Sequence, residues 1–545
     1  MRKWLCLLIL ACLLLCACGK ENVPETESAT TEVETTQTVE TKQTETETVT
    51  ETTTAEVISQ ETETTEAEPI SVKEAEHLGI LVTRVMDWNY DDTYEMITTN
   101  VSYDQIHLSE RSQKYEGLEK AFVALNQAAE KTIHEFQDGS ADEMLESEET
   151  RQFLPFYEHA RVYVKRADDR FVSLLLTDTS YAGGMHEFKA WSGYVYDTQS
   201  GKQLTLDDVF TSRSLLVQLL QEELLANYDE DLFFMDHIDE SVEEYLEESA
   251  SFTLDPDGAT FYFNPYELGP YASGAFEVKL YYDKYPKAFV RNDFASAGDY
   301  TIQVAEDEAL RFRDGSGKEK CLEVYGTPGV DMYDQTELTL MLDDVAVKTG
   351  QYGYSSESYL MHTNDGKNSL VCCITMDNDY GMIYVFDLDG ARPELVCTVD
   401  GAHFDRMETD EQMDGMLPTD PEKFALLRRC DLLSTYSYRE PVGLQDGKIV
   451  SQGKVFEIVR YQEEPLVLKQ EMSFSVVNEN YQETTKEVFT KGTKLFFDKT
   501  NGVDLVYFTL EDGRKVQVQV TATDWPMRVN GIDAEDVFEQ MFFAG

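Results

Sequence analysis

The chain has 545 residues, with 104 Asp and Glu against 45 Lys and Arg, for a formal net charge of −59. That length is too great for one core and implies about three domains. So acidic a surface is a poor partner for nucleic acid or anionic lipid, and a cationic protein fits it better.

The first residues carry a targeting signal. Arg2 and Lys3 precede an apolar run from Trp4 to about Leu15, too short for a stable membrane span. The run ends in Leu15-Cys16-Ala17-Cys18, which resembles a bacterial lipobox. By that resemblance residues 1–18 are a lipoprotein signal and Cys18 is the lipidated first residue of the mature chain, anchored on the outer face of the cell membrane. Residues 19–69 are dominated by Thr and Glu, and from 20 to 69 they hold fourteen Glu and two Lys. Apolar side chains are too few there to offset the entropy of ordering, so a disordered tether is expected. Stretched out, it would reach on the order of 170 Å. With that −12 and the +2 of Arg2 and Lys3 set aside, residues 70–545 still carry −49 of the total −59.

An α+β domain is expected over 70–298. "YEMITTNVSYDQIHL" (Tyr94 to Leu108) has strand composition. Leu118, Phe122, Leu125, Ala129, Ile133 and Phe136 then recur at steps of three and four, the apolar stripe of a helix. "ARVYVKRADDRFVSLLLTD" and "KAWSGYVYDTQSGKQLTL" predict strands joined by turns, with Ser200–Gly201 in a tight connection. Asp207 and Asp208 open a helix whose apolar face is Leu216, Leu219, Leu220 and Leu224. Strands return in "SFTLDPDGATFYFNPYELG" and "FEVKLYYDKY". Strands and helices do not alternate strictly, which favours α+β over a parallel βαβ sheet.

Residues 299–483 show short strands between frequent turns. "LVCCITMDNDYGMIYVFDLDGARPELVCTV" predicts three of them. The spacing suits a sandwich, a barrel or propeller blades, without a clean repeat period. Residues 484–545 resemble a small, bent bacterial SH3-like barrel closed by a short helix in "AEDVFEQMFF".

The chemistry-bearing motifs are few. "YAGGMHE" (Tyr181 to Glu187) juxtaposes two glycines, a histidine and a glutamate. A zinc protease helix needs a second histidine four residues on, and position 190 is Ala. A phosphate loop needs a following helix, and strands flank this segment. A glycine-shaped turn is therefore expected, with Tyr181, Gly183, Gly184, His186 and Glu187 as candidates to face a ligand. "NPYELGPYASG" adds Tyr266 and Tyr271 as aromatic candidates for a sugar or protein contact. "DPDG" at 255–258, "MDNDYG" at 376–381 and "DLDG" at 387–390 lack the spacing of a calcium loop and are expected to be turns. The five cysteines after the signal (Cys321, Cys372, Cys373, Cys397 and Cys430) form no CxxC pair. No nucleophile set, cofactor motif or metal spacing is found, so no catalytic residue is assigned.

Three stretches carry a family resemblance: "TSYAGGMHEF", "YVYDTQSGKQLTLDDVF" and "FTLDPDGATFYFNPYELGPYASGAFEV". In that order they resemble the extracellular region of the anti-sigma-V factor (RsiV-like) family, over residues of about 70–290. The resemblance implies a domain that binds something outside the cell; in the anti-sigma members the ligand is lysozyme, a cationic muramidase. Met185 departs from the small residue the family has before the histidine. The lipobox stands where an anti-sigma factor has a cytoplasmic segment and a membrane span, so ligand binding carries over rather than sigma-factor sequestration. The expected function is a non-enzymatic surface binder of a cationic protein such as lysozyme. The alternatives are a peptidoglycan or glycan binder and, more remotely, a wall-active enzyme.

Overall fold

The structure is a computed structural model, and it describes residues 73–544 apart from 93–94, 146–150, 235–237, 306–307, 329–335, 377–379, 409–411, 461–463 and 524. The signal, Cys18 and the tether lie outside the described residues. Most of the described chain is β-strand, arranged in several sheets with few helices. Among the described residues no helix is long and apolar enough to cross a membrane.

The first sheet has seven strands. Five come from the start of the chain: β1 (Ile80–Asp91), β2 (Met96–Leu108), β3 (Phe156–Ala167), β4 (Phe171–Tyr181) and β5 (Phe188–Asp197). Strands Arg406–Glu408 and Gln412–Met416 complete it beside β1. All pairs are antiparallel except β2–β3, which run parallel because helix α1 (Glu116–Leu145) crosses between them. The expected stripe of α1 is the buried one: Leu118, Phe122 and Ile133 are 0–1% exposed. At its start, α1 meets the turn after β5 backbone to backbone. A Cβ on Gly201 (φ +70°) would sit 2.1 Å from Gly117 C, which explains the glycine predicted to make that connection.

The single helix expected from Asp207–Asp208 through Leu224 is corrected to two: a one-turn helix α2 (Leu206–Val209), with a capping box between Thr205 and Asp208, ends at Phe210, and the leucine face belongs to a new helix that Ser212 caps. Helices α3 (Arg213–Asn227) and α4 (Ile238–Glu248) pack on a three-stranded sheet of β6 (Phe252–Leu254), β7 (Gly258–Phe263) and β8 (Phe276–Tyr281). The three-stranded sheet docks on β5 at Gly193, whose Cβ would lie 2.2 Å from Phe252 O. Charges hold this part together. Lys165 and Arg166, at the end of β3, are both almost fully buried. Lys165 Nζ donates to Gln303 O (2.8 Å) and pairs with Glu308, while Arg166 Nε donates to Asp168 Oδ2 at 2.6 Å.

The middle of the chain forms two antiparallel sheets over one apolar core. One contains Tyr300–Val304, Ser355–His362, Asn368–Met376, Tyr380–Asp387 and Glu394–Asp400 in spatial order; the other runs from Leu310–Arg313 to Val345–Gly353. "LVCCITM" is buried on both faces because its sheet is a middle layer. Leu370, Cys372 and Ile374 face the core between the two sheets, while Val371 and Cys373 join the core that contains α1. Of the region 299–483, for which the sequence left a sandwich, a barrel or propeller blades open, residues 300–400 form these two stacked sheets, while the strands from Ala402 onward join the first sheet and a larger one.

The expected SH3-like barrel at 484–545 is corrected: no barrel closes among the described residues. Glu483–Phe489 pairs with Met472–Val477, and Lys494–Thr500 pairs with Phe456–Arg460, both partners lying before residue 484. These strands continue a fourteen-stranded sheet that begins at Ala402–Phe404. Its apolar core draws on residues from Cys430 to Phe538, so the strong strand bending visible in the sequence belongs to a larger sheet. The final helix is one turn, Ala534–Val537, followed by a short strand.

Candidate functional site

The open face of the first sheet is the place to look for function. Strand β3 alternates buried and half-exposed residues, and Tyr157, His159, Arg161 and Tyr163 make up its half-exposed side. Register carries this face across the sheet, because residues paired directly across strands point the same way. Trp88, Asn100, Tyr157 and Tyr181 form one row, and Met86, Ser102, His159, Thr179 and Lys189 the next. Helix α1 covers the opposite face, through Val101, Tyr103 and Ile133.

Two loops meet at the Tyr157–Tyr181 end of that face, and they are the two singled out from sequence. The segment between β4 and β5 turns on Gly183 (φ +83°) and Gly184 (φ +147°), as expected for a glycine-shaped connection. Tyr181 OH donates to Gly184 O at 3.2 Å. His186 Nδ1 donates to Glu187 O at 2.8 Å, which fixes the ring, and the ring stacks on Tyr271 with centroids 3.7 Å apart. Tyr271 OH donates to the same Glu187 carbonyl at 2.7 Å. The Glu187 carboxylate accepts from Tyr157 OH at 2.9 Å and lies 3.1 Å from Lys189 Nζ. Tyr266 packs against Tyr271 at 5.7 Å.

The second loop is clamped in place. Asn264 Oδ1 accepts from Trp191 N (2.6 Å), and Glu267 accepts from Asn264 N (2.7 Å) and from Ser249 Oγ (2.9 Å) at the end of α4. Tyr266 nonetheless sits at φ +76°, a conformation that bulky residues rarely adopt, and its ring is 60% exposed. Met185 is 99% exposed and Phe188 54% exposed beside it. The cluster is therefore a rigid aromatic surface with one carboxylate, and its apolar members face solvent.

Sequence reasoning missed the neighbours Trp88, Phe153, Tyr157, His159 and Arg161. The signal was there: "YEHARVY" places Tyr157, His159, Arg161 and Tyr163 at period two. Ser102 Oγ hydrogen-bonds His159 Nδ1 at 2.7 Å, which resembles a nucleophile and its base. Ser102 is only 4% exposed, and its oxygen already accepts from Arg161 Nη2 at 2.8 Å. Burial, then the charges of Arg161 and Arg84, push the His159 pKa down to about 4, far from a working base. The pair is better suited to ordering the face than to attacking a substrate. A histidine with a depressed folded pKa contributes stability that is complete above its unfolded value of about 6.5 and is lost as pH falls toward 4. We expect the His159 ring to remain neutral at pH 5.5 by NMR titration, and Arg161→Gln to raise its midpoint. An unchanged midpoint in that variant would remove Arg161 as a cause.

The acidic turns are also resolved. At "DPDG", Lys279 Nζ lies 3.0 Å from Asp255 Oδ2 and 2.7 Å from Asp257 Oδ1, so an internal ammonium stands where a calcium ion would have to sit. At "DLDG", Asp389 accepts from Asn368 N (3.1 Å) and Gly315 N (3.2 Å), and Lys320 Nζ reaches Leu388 O at 2.9 Å. "MDNDYG" contains residues outside those described. Among the described residues one trio, His77, Asp299 and Asp420, has donor atoms close enough to hold a metal ion, all within 4.8 Å. Burial opposes a charge on His77, but its hydrogen bond to Asp299 (3.3 Å) and the nearby carboxylates outweigh it and raise its pKa. These residues are hundreds of positions apart, so no spacing in the sequence announced them.

Fold and site together define a mostly β protein with a rigid, exposed aromatic loop cluster and no recognisable catalytic set among the described residues. Residues 207–283, from α2 to just past β8, match the family model described as "Protein of unknown function (DUF3298)". Two solved structures are similar. One is a DUF3298 family member from Bacteroides fragilis NCTC 9343, 21% identical, covering 40% of this chain and 96% of its own, with TM-score 0.32. The other is a DUF3298 family protein from Pseudomonas aeruginosa PAO1, 16% identical with the same coverages and TM-score 0.26. No curated protein matches the chain.

Proposed function

We propose that this chain is a non-enzymatic binding protein of the bacterial envelope, lipid-anchored through Cys18, and that its loop cluster binds a cationic protein such as lysozyme. The carrying observation is the convergence of the two loops on one exposed surface of Met185, His186, Phe188, Tyr266 and Tyr271. Rigid aromatic side chains at low entropic cost are the usual anchors of protein interfaces. The charge beside them supports a cationic partner. Helix α4 carries Asp239, Glu240, Glu243, Glu244, Glu247 and Glu248, all exposed, with no basic residue in its last turn. Acids at a helix C-terminus add to the negative end of the dipole, so this end of α4 presents a strong field for attracting positive charge. Through the Ser249–Glu267 hydrogen bond that helix adjoins the Tyr266 loop.

The test is titration of purified residues 70–545 with lysozyme at low and physiological salt. The longer fragment is needed because strand Gln412–Met416 completes the first sheet. Binding should weaken as salt rises, and Tyr271→Ala should weaken it about tenfold or more. Met185→Lys, at a fully exposed position that folding does not use, should weaken it as well. No binding at low salt, or full binding by both variants, would sink the reading. The stacked His186–Tyr271 rings favour a second one, a peptidoglycan or glycan binder, for which retention on purified peptidoglycan should survive high salt.

A further inference from the structure

A second site lies deeper on the same face of the first sheet. A cleft of about 1170 Å³ opens between this face, the five-stranded sheet and the fourteen-stranded sheet. Its lining residues run from Arg84 to Ala544, so no local motif could have shown it. Its charge is opposite to that of the molecule. Among the described residues, four guanidiniums, of Arg84, Arg161, Arg406 and Arg429, face it together with one carboxylate, Glu357.

These arginines are fixed in place. Arg84 is held by both oxygens of Asp104, at 2.8 and 3.2 Å, and Asp104 is itself 3% exposed behind it. Arg406 pairs with Glu357. Arg161 donates to Ser102 Oγ at 2.8 Å, and Arg429 to Ala544 O at 2.6 Å with Asp431 3.8 Å away. The like charges are close enough to act on one another. Arg406 disfavours the charge on Arg84, and Arg84 and Arg161 both disfavour a charge on His159. Asp104 and Glu357 outweigh burial and that repulsion at Arg84 and Arg406 and keep both charged, and a guanidinium fork, as on Arg161 and Arg429, suits carboxylate or phosphate oxygens. The rest of the wall is aromatic and hydroxylic, with Tyr163, Tyr325, Tyr354 and Tyr380 beside Ser355 and Ser356. Tyrosine faces suit sugar rings and the hydroxyls suit their oxygens. The volume exceeds the roughly 300–1,000 Å³ of drug-sized pockets, which leaves room for more than one sugar ring.

We infer that this cleft binds an anionic oligosaccharide, its acidic groups held by Arg161 and Arg429 and its rings lying on the tyrosines. Two sources carry that charge, carboxylates as in a uronic acid and phosphodiesters as in a sugar- or glycerol-phosphate polymer, and the titration separates them. The site stands apart from the loop cluster and does not depend on the ligand proposed there.

The experiment is calorimetric titration of purified residues 70–545 with tri-galacturonate, a glycerol-phosphate oligomer, maltotriose and inorganic phosphate. One of the two anionic oligomers should bind at least tenfold more tightly than both maltotriose and inorganic phosphate; which one does so identifies the source of the charge. Arg161→Gln and Arg429→Gln should each weaken that binding tenfold or more, and Tyr354→Ala, at a half-exposed residue, should weaken it with an unchanged melting temperature. Loss of lysozyme binding is not expected in any of the three. Equal binding of maltotriose, no binding of either anionic oligomer, or full affinity in the arginine variants overturns the inference.

Discussion

Lys279→Met is expected to lower stability by about 3–5 kcal/mol, the range for removing one partner of a buried ion pair. Lys279 is 3% exposed, and its ammonium sits between Asp255 and Asp257 while donating to Arg311 O at 2.9 Å. Burial alone would lower its pKa; the two carboxylates outweigh that and raise it, so it is charged at every accessible pH. Without it, Asp255 keeps hydrogen bonds from Thr253 Oγ1 (2.9 Å) and Thr260 Oγ1 (2.6 Å) but loses the ammonium 3.0 Å from its carboxylate. Adding Asp255→Asn and Asp257→Asn should restore at least half of the loss, since neutral amides need no cation. The readout is the urea midpoint of residues 70–545, followed separately by near-ultraviolet and far-ultraviolet signals because several cores need not melt together. A shift under 1 kcal/mol for the single variant would mean that water already reaches the carboxylates.

Gly193→Ala is expected to destabilise the fold by about 2–3 kcal/mol, near the top of the usual overpacking range. An added Cβ would fall within 2.2–2.6 Å of three backbone atoms of Phe252. A flexible side chain could move aside, but a strand backbone cannot without breaking its ladder. Gly193 N also donates to Ser251 Oγ at 2.6 Å, so the first sheet and β6 meet there with nothing between them. The comparison is Gly184→Ala, where nothing lies within 4 Å and only the positive φ opposes the change. If Gly193→Ala proved as mild as an ordinary surface substitution, the two sheets would not be in backbone contact.

The sequence was most informative where a pattern is local. The α1 stripe and the leucine face of α3 are buried as their periods predicted. The Asp207–Asp208 helix start was also visible, because capping is decided within four residues. Helix α4 was missed although its pattern was legible: Ile238, Val242, Tyr245 and Leu246 recur at steps of four, three and one among six acidic residues, a regular apolar stripe. The loops of Tyr181–Glu187 and Asn264–Gly274 were each recognisable from their glycines and tyrosines. Their contact was not, because it depends on Tyr271 crossing to Glu187 over eighty-four positions of chain.

By itself, then, the sequence determined the acidic character of the chain, the helices with clear stripes, the glycine turns and the many short strands. Tertiary structure decided that residues 412–416 return to the first sheet, that the terminal strands extend a larger sheet, and that Lys279 fills the acidic turn. It also decided that arginines from four separate strands and their ends share one cleft in an acidic molecule. The reason is one of range. Propensity, capping and periodicity act over a few residues, whereas sheet pairing and charge complementarity act between segments that only the folded chain brings together.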